Sequence, residues 1–346
     1  MRSALDILKK LPGTAILCVG DIMLDNFIYG DATRLSPEAP IPVVTVKRPL
    51  SMPGGMGNVV RNLGEVGILP LATSITGDDA NAHKLTELFV HSGWLPPIMI
   101  RDSARPTIVK TRIIAGGQQV VRFDEEVNSA IGQELQDKLV EAIRRHLGSV
   151  RAVAISDYGK GIVTPGLVAE TVKAAREKGI PVVVDPKGRD YSKYAGATVV
   201  TPNRKELSEA VGRDLRDSDD IAAAAREVLA AHDIANLLVT RSEQGMTLVS
   251  RDAEEKGNST PESPATTTTT ATTFPALARE VSDVSGAGDT VVAMVTAALA
   301  VGAPLVLAAK LATLAAGVVV GKIGTAVAYP HEIEAEAERW DFTFPA

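Results

Sequence analysis

One cysteine, Cys18, is all that this 346-residue chain contains, so intrachain disulfides and cysteine-rich metal sites are excluded. A reducing cytoplasm is the compartment that this scarcity favours. Basic excess is missing too: 36 Lys and Arg face 42 Asp and Glu, for a net charge of −6. That balance argues against a nucleic-acid partner, because such proteins carry a basic face. The phosphate-loop pattern GxxxxGK[ST] is absent, and no strand is followed by GxGxxG, which counts against Walker-type and dinucleotide-binding readings. An unbroken membrane-length apolar run is lacking as well. Its nearest approach, residues 290–309, is interrupted by Gly302 and Pro304 and closed by Lys310, as two buried helices joined by a tight turn would be. The N-terminal MRSALDILKKLPG has two lysines in a short amphipathic stretch and reads as a surface helix, not a signal peptide. No membrane association is expected.

What the chain does contain is a repeated alternation. Residues 15–19, 151–155 and 181–184 are short apolar runs leading to Asp21, Asp157 and Asp185, and residues 198–200 and 236–239 add two more. Amphipathic windows at 165–178 and 219–231 separate some of these runs. The pattern predicts an α/β fold whose mostly parallel central sheet is flanked by helices, with ligands beyond the carboxyl ends of the strands. Residues 41–46, 107–114 and 118–123 instead alternate as antiparallel strands do, which predicts a small β-sheet lid near 27–50 and 105–124. The whole chain, 1–346, reads as one domain. Residues 251–275, RDAEEKGNSTPESPATTTTTATTFP, are of low complexity and are expected to be a flexible surface insertion between two strands.

One segment has a specific chemical logic. In DVSGAGD, residues 283–289, Gly286 and Gly288 let the backbone approach a ligand and Ala287 leaves the space open. A helix starting here would present unpaired N–H groups to an anion, with Asp289 beside it. Taken alone, the segment leaves two readings open: Asp289 as a group near a bound phosphate, or Asp289 as a complement to the helix dipole.

Three further pieces stand in order along the chain: GDIMLD at 20–25, PGGMGN at 53–58 and TPNRKE at 201–206. With DVSGAGD they resemble the motifs of the PfkB (ribokinase-like) carbohydrate kinases over roughly residues 12–330. The resemblance implies a ribokinase-like fold and ATP-dependent phosphorylation of a sugar hydroxyl. It implies that Asp289 accepts the hydroxyl proton and that the amides of Gly286, Ala287 and Gly288 form the anion hole. An aspartate there is expected to be a weak base that takes the proton late. Asp21, Asp25, Gly55 and Asn58 match the sugar-binding positions. Asn203 matches a nucleotide-side position, and Glu206 one that organises Mg²⁺ through water, which suits an ion that dehydrates reluctantly. Thr201 is expected to cap that helix, with Pro202 at its first position. Ser242 and Gly245 fall where family members contact the nucleotide, and the apolar helices behind Asp289 are expected to wall the adenine pocket. A monovalent cation is left open.

The segment GDATRLSPEAPIPVV at 30–44, with SDYGKG at 156–161 and DPK at 185–187, is similar to the heptose-7-phosphate kinases of Gram-negative bacteria. That implies phosphorylation at C1 of D-glycero-β-D-manno-heptose 7-phosphate, on the route to ADP-heptose and lipopolysaccharide core. Relatives of that kind often add a nucleotidyltransferase with an HxGH-type motif. Here the only late histidine is His331, and the kinase-only form is expected. A phosphorylated sugar needs cations; Arg105 and Lys187 are the strongest candidates, with Lys110, Arg112 and Lys160 behind them. A homodimer through the lid sheet is expected, since exposed strand edges are otherwise a liability. Two alternatives remain: a fructokinase-, ribokinase- or phosphofructokinase-like enzyme, and a non-catalytic sugar sensor.

Overall fold

A computed structural model describes residues 2–251, 269–277 and 282–339. The chain opens with α1 (Arg2–Leu8), β1 (Ala15–Gly20), β2 (Ile22–Leu35), β3 (Pro42–Gly55), α2 (Met56–Glu65), β4 (Leu69–Gly77) and α3 (Ala80–His91). It continues through β5 (Ile98–Asp102), β6 (Val109–Ala115), β7 (Gln118–Glu125), α4 (Gln133–His146), β8 (Ala152–Ser156), α5 (Pro165–Arg176), β9 (Val182–Asp185) and β10 (Val199–Val200). Then come α6 (Arg204–Val211), α7 (Ser218–Ala231), β11 (Asn236–Thr240), β12 (Met246–Arg251), β13 (Thr269–Phe274), α8 (Ala287–Ala300), α9 (Leu305–Val320) and α10 (Pro330–Arg339).

Among the described residues, the strands form two sheets. The larger has nine strands in the order β13-β12-β11-β10-β9-β8-β1-β4-β5. It is parallel from β5 to β11, and β12 alone runs in the opposite direction, pairing antiparallel with both β11 and β13. Ile16 and Cys18 of β1 enter one core cluster while Leu17 and Val19 enter another, because successive strand residues point to opposite faces. Both faces are therefore covered, which is why these runs are apolar throughout. Gly20 ends β1 at φ +151, and a Cβ there would collide with the Ser156 carbonyl oxygen. Glycine lets β1 and β8 stay close, bringing Asp21 next to the loop that leaves β8.

The smaller sheet has four strands in the order β3-β2-β6-β7. β2 pairs with β3 from Ile22↔Gly55 to Leu35↔Pro42, so the chain leaves the core and returns directly to α2. Its strands begin and end deeper in the core than the expected 27–50, while β6 starts only at Val109, which leaves Arg105 in the connection before it. Register aligns Asp25 with Lys110 and Asp124, and Phe27 with Arg112 and Arg122. This charged face looks toward the core, where Arg61 of α2 meets Met52. Phe123 and Val121, on the other face, are exposed.

The apolar run at 290–309 is divided between α8 and α9, and no helix among the described residues is long and apolar enough to cross a membrane. The expectation for 251–275 needs correction at both ends. Arg251 closes β12, and Thr269–Phe274 is β13, paired antiparallel to β12. Threonine is β-branched and favours an extended edge strand despite its polarity. Residues 252–268 of that stretch lie outside the described residues.

Candidate active site

α8 starts at the end of the large sheet where β1, β8 and β9 finish. Its N-cap is Gly286 at φ +82, with no side chain capping the helix. A Cβ at Gly286 would lie 2.8 Å from Asn58 Nδ2 and 2.9 Å from Thr325 Cγ2, so glycine is required for both conformation and space. Thr290 N–H makes the first helical bond, to Gly286 O at 3.0 Å, and Ala287 N–H turns back to Val284 O at 3.3 Å. Of the three residues expected to form an anion hole, Gly288 is the most open, with nothing within 4 Å of a Cβ position. Asp283 ties this turn down, accepting from Ser285 N–H at 2.9 Å and Gly324 N–H at 3.1 Å.

Asp289 is 5% exposed. Its Oδ2 accepts from Asn58 Nδ2 at 2.7 Å and its Oδ1 from the Tyr158 hydroxyl at 2.7 Å. Burial pushes its carboxyl up to about 6, against the opposing pull of those two hydrogen bonds. Removal from water makes this carboxylate more basic than an exposed one, while it stays a weak base.

Two of the expected sugar ligands stand one layer behind the site. Asp21 is 0% exposed, and its carboxylate accepts the backbone N–H groups of Tyr158 (2.8 Å), Lys160 (3.1 Å) and Ile162 (3.2 Å). It holds a loop and has no surface to offer a solute. Asn58 is 1% exposed, donating to Asp289 and accepting from Arg61 Nη1 at 3.1 Å. It serves the aspartate instead. Asp25 and Gly55 lie on the paired strands β2 and β3 that lead into α2. Asp25 packs against Gly54, where any Cβ would strike its carboxylate, and its Oδ1 accepts from Arg112 Nη1 at 2.6 Å. Gly55 holds φ +58 where β3 turns into α2.

Beyond Gly288 opens a cavity of about 890 Å³, lined by Asn203, Ser242, Gly245, Ala287 and Gly288, with Val291, Ala316 and Gly317 among its apolar wall. Ser242 takes φ 53, unusual for a residue with a side chain. Gly245, at φ +87, runs against Phe274 O, leaving no space for a Cβ. Thr201 is not the cap of α6. Asn203 is, in a capping box: its Oδ1 accepts from Glu206 N–H at 2.9 Å, and Glu206 Oε2 accepts from Asn203 N–H at 3.1 Å. The TPN segment stays non-helical two residues further than expected, because the side chain that reaches the third helical amide is the asparagine's.

The candidate cations divide among several acids. Lys187 Nζ donates to Glu206 Oε1 at 2.9 Å, which ties it to α6. Asp185, at the end of β9, has its carboxyl pushed well up by burial and by the charges of Asp289 and Glu206. Arg105 donates to Asp102 Oδ2 at 3.0 Å and Ser129 O at 3.1 Å, while its Nη1 is buried without a partner in the protein. Lys110 and Lys160 share Glu126, at 3.0 and 2.6 Å, a bridge between lid and core. Sequence reasoning gave no task to Tyr158 or Arg61. The only available signal was Tyr158's place in SDYGKG, and nothing local says where its hydroxyl goes.

The model for "pfkB family carbohydrate kinase" matches residues 14–332. The bifunctional protein HldE of Paramagnetospirillum magneticum is 46% identical over 99% of this chain and 67% of its own length. That of Acidiphilium cryptum is 44% identical over 95% of this chain and 65% of its own length. The chain thus spans about two thirds of these relatives. Among solved structures, phosphofructokinase-2 from Escherichia coli in complex with potassium superposes with a TM-score of 0.73 at 20% identity, covering 95% of this chain and 99% of that one. Arabidopsis thaliana ribokinase complexed with ribose and ATP gives 0.66 at 16% identity, covering 93% and 98%. At such identities these two speak for the fold alone.

Proposed function

From the premise that this chain belongs to the pfkB family of carbohydrate kinases, we propose that it transfers the γ-phosphate of ATP to the C1 hydroxyl of D-glycero-β-D-manno-heptose 7-phosphate. The product is the 1,7-bisphosphate, on the route to ADP-heptose and lipopolysaccharide core. The observation that carries the transfer is the place of Asp289: buried, raised to about 6, and one residue beyond the open backbone of Gly288. The 46% identity to an HldE protein supports the choice of sugar.

ATP lies in the cavity of about 890 Å³, its base against Val291, Ala316 and Gly317 and its phosphates toward Gly288. The acceptor enters from the charged face of the lid, over Asp25. Asp289 takes the proton of the attacking hydroxyl while the uncapped start of α8 meets the charge that spreads over the transferring phosphoryl oxygens. Phosphoryl transfer depends on such positioning and pre-set dipoles. Arg105, with its unpartnered Nη1, is the first candidate for the sugar's own phosphate. Asp185 and Glu206, in electrostatic range of one another with Lys187 on Glu206 Oε1, supply carboxylate oxygens of the kind that Mg²⁺ takes. No three ligating side chains converge among the described residues, so these two would hold the ion through its waters. Bound there, Mg²⁺ would offset phosphate charge. The exposed apolar face with Val121 and Phe123 supports a homodimer through the small sheet.

The test is ADP release with Mg-ATP against heptose 7-phosphate, fructose 6-phosphate and ribose, with the phosphate position in the product read by ³¹P NMR. The reading expects the heptose to give the highest kcat/KM and a new phosphate on C1. Preference for either other sugar, or transfer to another carbon, overturns it.

A further inference from the structure

The loop after β8 carries a side chain to which the reaction above gives no task. Tyr158 is part-exposed, yet its hydroxyl donates to Asp289 Oδ1 at 2.7 Å. Its own backbone N–H is held at 2.8 Å by Asp21 Oδ2. Asp21 is in turn fixed through its N–H to Ser156 O at 3.1 Å and through its carboxylate to Lys160 and Ile162. A wholly buried acid from the end of β1 thus sets the path of a loop that delivers a phenol to a second acid on α8. The opposite oxygen of that second acid is taken by Asn58 at 2.7 Å.

We propose that Tyr158 is a positioning residue for the phosphoryl-transfer base. With Asn58 it pins the Asp289 carboxylate in one rotation, leaving each oxygen a lone-pair direction for the acceptor hydroxyl, and Asp21 acts on the reaction through Tyr158. The inference rests on Asp289 being the base. The phenol is a constant donor: burial and the nearby charges of Asp289, Asp185 and Asp25 keep it protonated well beyond its ordinary range. A constant donor favours the ionised form of its acceptor. The other charged groups that face Asp289 are Asp25 of β2, which opposes ionisation, and Arg61 of α2, which favours it; Asp185 of β9 is a further acid in electrostatic range.

Tyr158→Phe keeps the ring and removes only the donor. Without it the Asp289 carboxyl should hold its proton to higher pH, by about one unit. The acid limb of kcat/KM then moves up by about one pH unit, and turnover at pH 6 falls about fivefold. Activity recovers toward wild type above pH 8, and the KM for ATP stays within about twofold. Asp21→Asn should show the same direction, and the double variant should be no slower than Tyr158→Phe alone. ¹³C NMR of the Asp289 carboxyl in the unliganded enzyme reads the same shift without turnover. An unmoved acid limb, an unmoved carboxyl titration or an equal loss at every pH overturns the inference. Asp289→Asn separates the two ideas: if it retains wild-type turnover the base itself is wrong, whereas a dead Asn variant beside an unshifted Phe variant removes only the role of Tyr158.

Discussion

The two ends of the site are held together in opposite ways. At the acceptor end, Asp289 of α8 is gripped by Asn58 of α2 and by Tyr158 from the loop after β8, contacts that join residues 231 and 131 positions apart. At the cavity end, proposed for the nucleotide, the contacts are mostly local: Asn203 and Glu206 cap their own helix three residues apart, Gly245 N–H bonds to Ser242 O, and Lys187 reaches Glu206 from 19 positions away. The acceptor end is buried and each of its acids is assigned to donors. The nucleotide end is an open cavity with small residues on its wall. A kinase needs both. The chemistry requires a base held still in a water-poor place, while the nucleotide must enter and leave an accessible one.

The contrast breaks hardest at Asp289. Asp289→Asn should lower kcat by about 10³-fold, as expected for loss of a general base, while ATP binding by calorimetry stays within about twofold. The same change should stabilise the protein at alkaline pH. Its carboxyl titrates at about 6 when folded, above the ordinary 3.8, so the native state binds this proton more tightly than the unfolded chain does. Ionised Asp289 therefore costs no stability below about pH 4, an increasing amount through pH 6, and its full cost above. Denaturant unfolding at pH 8 should show the Asn variant gaining up to about 3 kcal/mol over wild type, and almost nothing at pH 4. An equal effect at both pH values would contradict burial as the cause of the raised value.

Gly286→Ala tests the join between the two ends. The new Cβ meets Asn58 Nδ2 and Thr325 Cγ2 at a backbone angle of φ +82. Loss of roughly 1–2 kcal/mol of stability and a fall in kcat of about tenfold are expected, the latter because Asn58 must shift away from Asp289. A drop in stability with kcat intact would mean that Asn58 does not hold the base. The smallest effect belongs to the nucleotide wall. Ala316→Leu, projecting bulk into the cavity, should raise the KM for ATP about tenfold and leave the KM for the sugar unchanged, since the wall is remote from Asp25. A matching rise for both substrates would collapse the division into two ends.

Much of this arrangement can be read along the chain. Residues 15–19, 151–155 and 181–184 are apolar on both strand faces because helices cover both, which is why a parallel sheet is legible from them. Gly286 to Asp289 is recognisable because a helix start with no side-chain cap and no Cβ is a local property. Less legible were Asp21 and Asn58, expected to touch a sugar and found one layer behind it. A polar residue at a strand end or in a helix's first turn looks the same whether it faces a ligand or another protein group. Thr269–Phe274 escaped for a related reason: a threonine tract reads as unstructured until β12 offers it an edge to pair with.

The amino-acid pattern by itself determined the α/β class, the glycine turn at 286–288 and the acid at its end, because each depends on backbone freedom and on periodicity within a few residues. Only the tertiary structure decided that the Asp289 carboxyl would be pushed up to about 6, since its burial and its two donors come from three separate parts of the chain. It also decided that Asp21 holds the Tyr158 N–H, and that Lys187 pairs with Glu206. Hydrogen-bond partners across more than a hundred residues are set by how sheets and helices pack, and no local signal encodes them.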